Sequence, residues 1–240
     1  MFYLFLLALS AVAGVIQSVT GFGGAIFMMV FLPHFFDMLQ APALASSITF
    51  GLTSSMAWIF RKKIKWKLVL LPTVLYELGS VLVLSIASSL DMKLLGLSFG
   101  IFLLVLAVYF FFFSNAFSVK ATPASACVCG FISGACSGLF GIGGPLLALY
   151  FLAATQEKEE YAGNLQFVFA VTTFMNLIIR LQKGFYSLSF LPLTIIGIVG
   201  ITFGKKLGLH ILRKINISLM RRLVYALVGI SGVLTVLENL

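Results

Sequence analysis

Of 240 residues, 61% are hydrophobic and only 10% are charged, and the mean hydropathy is +1.13. That is more apolar surface than the interior of a soluble domain of this length can bury; a soluble globular domain is excluded and an all-α, polytopic membrane protein remains. The formal net charge of +9 would point to nucleic acid in a soluble protein, but it sits in clusters such as Arg61, Lys62, Lys63, Lys65 and Lys67 and the stretch 205–222. In a membrane chain such clusters set topology and meet lipid headgroups, so the expected partner is the bilayer and not nucleic acid.

Apolar runs are predicted over 2–36, 42–60, 68–87, 94–113, 123–155, 163–179, 188–203 and 217–237, most near the ~20 residues that cross a bilayer. The first run ends an early stretch in Ala11-Val12-Ala13, which resembles a signal-peptidase site. No positive region precedes it, however, and its counterpart at 124–134 is internal, so a true membrane segment is expected. Farther along the same run lies Gly21-Phe22-Gly23-Gly24. The second run carries Ser46, Ser47, Thr49, Thr53 and Ser54. The third holds Glu77, the one acidic residue well inside a membrane segment, which reads either as a proton-coupling carboxylate or as a side chain that snorkels or pairs with a cation. Polar residues and Pro123 interrupt the pattern near 114–122.

The fifth run contains Cys127, Cys129 and Cys136, whose spacing is not that of a zinc site and which read as small packing residues. It also contains Gly141-Ile142-Gly143-Gly144. In the sixth lie Asn164, Gln166, Thr172, Thr173 and Asn176, followed by Arg180, which either attracts an anion or marks the membrane interface. His34 and His210, near segment ends, read as interfacial.

A fixed offset of 120 matches Gly14 with Gly134, Gly21 with Gly141, Gly23 with Gly143, Gly24 with Gly144, Thr53 with Thr173 and Leu71-Pro72 with Leu191-Pro192. Glycine, threonine and proline matching without gaps at one offset indicate a duplication. Two membrane repeats, 1–115 and 122–240, each of four segments, form a single integrated membrane domain. Glu77 falls opposite Gly197, so the repeat gives it no counterpart.

Charge decides between two paths of the chain. Eight simple crossings leave eight basic residues on each side, with no asymmetry. If each glycine-broken segment instead enters and returns to the same face, the five cations of 61–67, Lys120, Lys158 and the six of 205–222 share one side. Only Lys93, Arg180 and Lys183 remain on the other, thirteen against three. Three crossings plus a hairpin make an odd number, so the repeats are expected to be inverted about an axis in the membrane plane.

At each break the glycines release the backbone from helical geometry, and the helix restarting at Ala25 or Pro145 offers free amides and the positive end of its dipole to an anion. Pro145 suits a first turn because it lacks the donor left over there. The substrate-binding candidates are therefore Gln17, Ser18, Thr20, Gly21, Gly23, Gly24 and Thr53 in one half and Ser137, Gly141, Gly143, Gly144, Asn164, Gln166, Thr173 and Asn176 in the other. Ser133 stands close to the second break. Asn164 and Gln166 rank first among the side chains, because a buried amide needs a partner. No nucleotide-binding motif appears, so energy must come from ion or substrate gradients, and no cofactor or metal is expected. A rival reading is an intramembrane redox or enzymatic protein built on Cys127, Cys129 or Glu77.

On Gly14 with Gly21-Phe22-Gly23-Gly24, and Gly134 with Gly141-Ile142-Gly143-Gly144-Pro145, the chain resembles the TauE/SafE-type sulfite exporter family. Its departure from symmetry is Ala25 where the second half has Pro145. The resemblance implies export of a small, often sulfur-containing anion such as sulfite or a sulfonate across the bacterial plasma membrane by a multi-pass protein. The oligomeric state is open between monomer and homodimer.

Overall fold

The computed structural model describes residues 2–87, 89–109, 121–211, 232, 233, 235–237 and 240. Within them run nine α-helices: α1 (Phe2–Thr20), α2 (Gly24–Phe31), α3 (Gln40–Ile59), α4 (Trp66–Ala87), α5 (Met92–Val108), α6 (Pro123–Phe140), α7 (Gly144–Ala154), α8 (Lys158–Gln182) and α9 (Leu191–Ile211). The all-α expectation holds for the described residues. Most of the predicted last segment, 217–237, lies outside them. Among the described residues, five helical stretches are long and apolar enough to cross a membrane: Phe2–Thr20, Trp66–Ala87, Pro123–Phe140, Lys158–Gln182 and Leu188–His210.

Both glycine-broken runs fold back as hairpins. Phe2 packs on Phe35 and Phe36, and Phe5 on Phe31, with ring centroids 5.0 to 6.1 Å apart, so α2 and the short 3-10 turn after it return to the start of α1. In the second half, Tyr150 of α7 lies beside Cys127 and Cys129 of α6, and Gly143 lies against the Ser133 carbonyl. A capping box opens α6, with Thr122 accepting from the Ser125 amide at 3.2 Å and Pro123 in the first turn.

Close packing through small residues joins the halves. On α6, Gly130, Gly134 and Gly138 sit directly on the backbone of Pro72, Tyr76 and Ser80 of α4. On α9, Gly200, Gly204 and Gly208 sit on the backbone of Leu7, Ala11 and Val15 of α1. The spacing of four puts three glycines on one helical face, and where lipid removes any hydrophobic drive, such faces let backbones approach and gain dispersion energy. The pattern is reciprocal: α1 pairs with α9 and α6 with α4, while α3 and α8 pair at the centre. At an offset of 120, α1 corresponds to α6 and α4 to α9. The first helix of each half, α1 or α6, thus packs on α9 or α4 of the other, two helices that correspond at the same offset.

The opposite faces of α4 and α9 are apolar and exposed. Leu70, Val74, Leu78, Leu82 and Ile86 form one stripe, and Leu191, Ile195, Val199, Phe203 and Leu207 the other. Stripes of this size are unfavourable in water and suit a hydrocarbon surround.

The loops gather at two ends. At one, Lys63 pairs with Glu157 at 2.8 Å and Glu159 at 3.6 Å, and Lys65 with Glu160 at 2.7 Å; the Glu157 carboxylate holds the Lys63 ammonium above its usual range. At the other, Leu39, Leu84, Ala87, Leu95 and Phe185 form an apolar cluster. Eight simple crossings would set the loops near 63 and 157 on opposite sides, a path that the Lys63–Glu157 contact does not allow. A further correction concerns Arg180. It is not an interfacial charge but a fully buried one, so it does not count toward either side of the membrane.

Replacing Gly134 with valine should lower the midpoint of thermal unfolding in detergent, because the new Cβ falls on the Tyr76 carbonyl oxygen and overpacking of this kind costs ~1–3 kcal/mol or more. Gly184→Ala is the comparison for strain without contact: its φ is +74° and nothing lies within 4 Å, so its loss should be smaller. A Gly134→Val protein as stable as the parent would contradict the close α4–α6 approach.

Candidate functional site

The breaks are made by left-handed glycines. Gly21 at φ +84° and Gly23 at +97° turn the chain from α1 into α2, and Gly141 at +69° closes α6 before α7. Side chains rarely adopt this region, so glycine is needed at these turns. In the other half, Gly143 has an ordinary φ of −114°, so the two breaks share a plan without sharing every angle. They also touch: Gly144 packs against the Phe22 side chain.

Between them lies a cavity of about 50 Å³, lined from the first half by Gln17, Phe22, Gly23, Ala25, Ile26, Ser46, Thr49, Thr53 and Tyr76, and from the second by Ser137, Gly141, Ile142, Gly143, Gly144, Phe169, Thr173 and Asn176. At ~10–15 Å³ of such space per water, this is room for a few waters or one small ion. The starts of α2 and α7 both border it. Their first turns leave backbone amides without intrahelical partners, so two positive helix ends converge on one space. The lining contains no acidic and no basic side chain.

The polar side chains around it divide by whether their hydrogen bonds are already used. The side chain of Gln17, a residue 3% exposed, makes no hydrogen bond among the described residues while lining the cavity. Asn176, also 3% exposed, accepts from the Ser80 hydroxyl at 2.6 Å, which leaves its amide nitrogen without a partner among the described residues. Thr49 and Thr53 donate to the carbonyls of Ala45 at 2.8 Å and Phe50 at 3.1 Å in their own helix, and keep lone pairs toward the space.

Gln17, Gly23, Thr53, Ser137, Gly141, Gly143, Gly144, Thr173 and Asn176 of the predicted set line the cavity. Ser18, Thr20, Gly21, Gly24, Asn164 and Gln166 do not, and their bonds say why. The Ser18 hydroxyl donates to the Gly14 carbonyl at 2.6 Å and the Thr20 hydroxyl to Ile16 at 2.9 Å, each within its own helix. Gly24 is pressed against Gln17 and the Ala13 carbonyl. Asn164 accepts from the Lys65 amide at 2.7 Å. Gln166 donates to the Gly21 carbonyl at 2.7 Å, and Tyr161 beside it donates to Thr20 at 3.1 Å.

Sequence reasoning passed over Tyr76, whose ring sits inside an apolar helix and reads as core. Its hydroxyl lies against Gly143 and within reach of Ser137 and Thr172. Glu77, one residue on, is half-buried with Oε1 unpartnered among the described residues; it does not line the cavity. Cys127, Cys129 and Cys136 are free thiols outside its lining.

Compared with known proteins, residues 6–235 match the model of the family described as sulfite exporter TauE/SafE. The chain is also similar to a probable membrane transporter protein of Methanocaldococcus jannaschii, 27% identical over 257 aligned positions that cover 97% of this chain and 94% of the relative. No solved structure matches it.

Gln17→Leu removes an uncommitted amide at nearly constant volume. For an anion seated in this cavity, where a hydrogen bond to a charged group would contribute about 1.5–3 kcal/mol, the dissociation constant should rise about 10- to 150-fold with little change in melting temperature. Calorimetric titration of sulfite into the detergent-solubilised protein measures both; unchanged affinity would remove Gln17 from the site.

Proposed function

The chain belongs to the sulfite exporter TauE/SafE family, and from that premise we propose that this multi-pass membrane protein is a secondary transporter exporting a small anion, sulfite or a sulfonate, across the plasma membrane. One observation carries the reading: two helix N-termini, one from each half, border a single cavity with no charged side chain in its lining. A cation finds no carboxylate there. An anion finds backbone amides, the Gln17 and Asn176 amides and several hydroxyls, which replace part of its hydration without a fixed countercharge that would hold it too tightly to leave.

Alternating access follows from the same architecture. The two halves, packed reciprocally through α1 on α9 and α6 on α4, are read as inverted repeats that rock about the cavity, opening first one end and then the other. Supporting this is the difference between the ends: the ion pairs of Lys63 with Glu157 and Glu159 are exposed and screened by solvent, so they break at low cost, while the Leu39–Phe185 end parts by exposing apolar surface. Proton coupling is assigned to Glu77. It lies outside the cavity, one residue along α4 from Tyr76, which lines it.

Proteoliposomes loaded with sulfite, sulfoacetate or thiosulfate should release anion in a protein-dependent way, whereas sodium and potassium should not move on their own. Cation movement without anion movement would overturn the proposal. Replacing Cys127, Cys129 and Cys136 with alanine should leave that release intact; its loss in folded protein would favour redox chemistry instead.

For Glu77→Gln, the expected result is anion flux that no longer responds to an imposed pH gradient while counterflow exchange of anion persists. Flux that still follows the gradient would exclude Glu77 as the coupling group.

A further inference from the structure

Arg180 is the largest fully buried side chain among the described residues, 0% exposed, and no carboxylate pairs with it there. Its Nη2 donates to the carbonyls of Ser137 at 3.1 Å and Gly138 at 2.7 Å, and its Nη1 to Leu39 at 3.3 Å, while Nε has no partner among the described residues. Removing a cation from water without a countercharge is expensive, and three neutral carbonyls are a modest return if their only product is rigidity. Two of those carbonyls belong to the last turn of α6.

Each break joins two opposed helix ends. The carbonyl end of α1 or α6 carries about half a negative charge and the amide end of α2 or α7 about half a positive one; side by side they cancel much of each other's field. At the first break the carbonyls of Thr20, which ends α1, and of Gly21 just beyond it receive neutral donors among the described residues, the Tyr161 hydroxyl and the Gln166 amide. At the second, the corresponding α6 end receives a full positive charge. The α7 amides are then unopposed, and the unpartnered amide of Gln17, lining the same cavity, supplies an independent sign that a ligand belongs there.

We propose that Arg180 is a positioning residue that acts on the anion without touching it: by cancelling the negative end of α6 it makes the second break the stronger of the two anion-binding ends and favours doubly charged anions. This rests on the anion-transport reading above and answers which break dominates. Pro145 deletes one amide donor from α7, so field rather than donor number gives this break its strength.

The test uses Arg180→Gln, which keeps hydrogen-bond donors but loses the charge, and Arg180→Lys, which keeps the charge but loses the planar fork. Initial rates are measured in proteoliposomes with sulfate as a dianion probe and methanesulfonate as a monoanion probe of similar shape. Arg180→Gln should raise KM for sulfate about five- to thirtyfold more than for methanesulfonate, with kcat nearly unchanged, and Arg180→Lys should keep the wild-type ratio of the two. Equal effects of both variants on both anions would mean a purely structural staple and overturn the proposal. If Arg180→Gln does not fold, Arg180→Lys still decides, since a collapsed ratio in that variant contradicts a role for charge. Wild-type protein that moves neither anion, nor sulfite, would instead sink the transport reading itself.

Discussion

A backbone that leaves helical geometry inside a membrane must have its carbonyls and amides answered by protein, because hydrocarbon offers no donor or acceptor. Two such departures occur here, and one helix supplies donors to both. Along α8, Tyr161 and Gln166 reach the carbonyls that end α1, and Arg180 reaches those that end α6. These carbonyl ends are thereby satisfied, while the amide ends of α2 and α7 are left facing a cavity. Partnered on one side and open on the other, each break is held in place and still available to a ligand.

That arrangement depends in turn on how close the helices come. The glycine faces of α6 and α9 bring backbones together at the α4–α6 and α1–α9 contacts, which fixes where each hairpin sits relative to the opposite half. Tyr76 shows the consequence. It lies on α4 where Gly134 packs, and its hydroxyl reaches Gly143 of the second break, so a residue of the first half helps to line the second half's turn. The site is shared between halves because α1 packs on α9 and α6 on α4, across the two halves.

The hairpins were legible because glycine clusters inside 30-odd apolar residues have few other uses, and a run longer than one crossing must turn or tilt. The glycine spacing of four on α6 and α9 was also present in the chain, and marks a close helix contact without naming its partner. Asn164 and Gln166 were ranked high on sound physics that answers a different question. A buried amide needs a partner, but the Lys65 amide and the Gly21 carbonyl serve as well as any substrate. Ser18 and Thr20 follow the same logic within one helix turn, where a hydroxyl finds the carbonyl four residues back. Gln17, between Ile16 and Ser18 in the same turn, differs only in finding no such partner.

Composition and pattern alone determined that the chain lives in a membrane, that glycine clusters recur at an offset of 120, where its helices break and which loops carry charge. These follow from local chemistry: hydropathy, glycine's backbone freedom, and identity at a fixed offset. Only the tertiary structure decided that the two breaks meet in one cavity, that Tyr76 belongs to it, and that Arg180 is buried against α6 rather than lying at the interface. The reason is that a polar group's role is set by which partner reaches it first, and for Arg180 the partners lie 42 to 141 positions away in the chain.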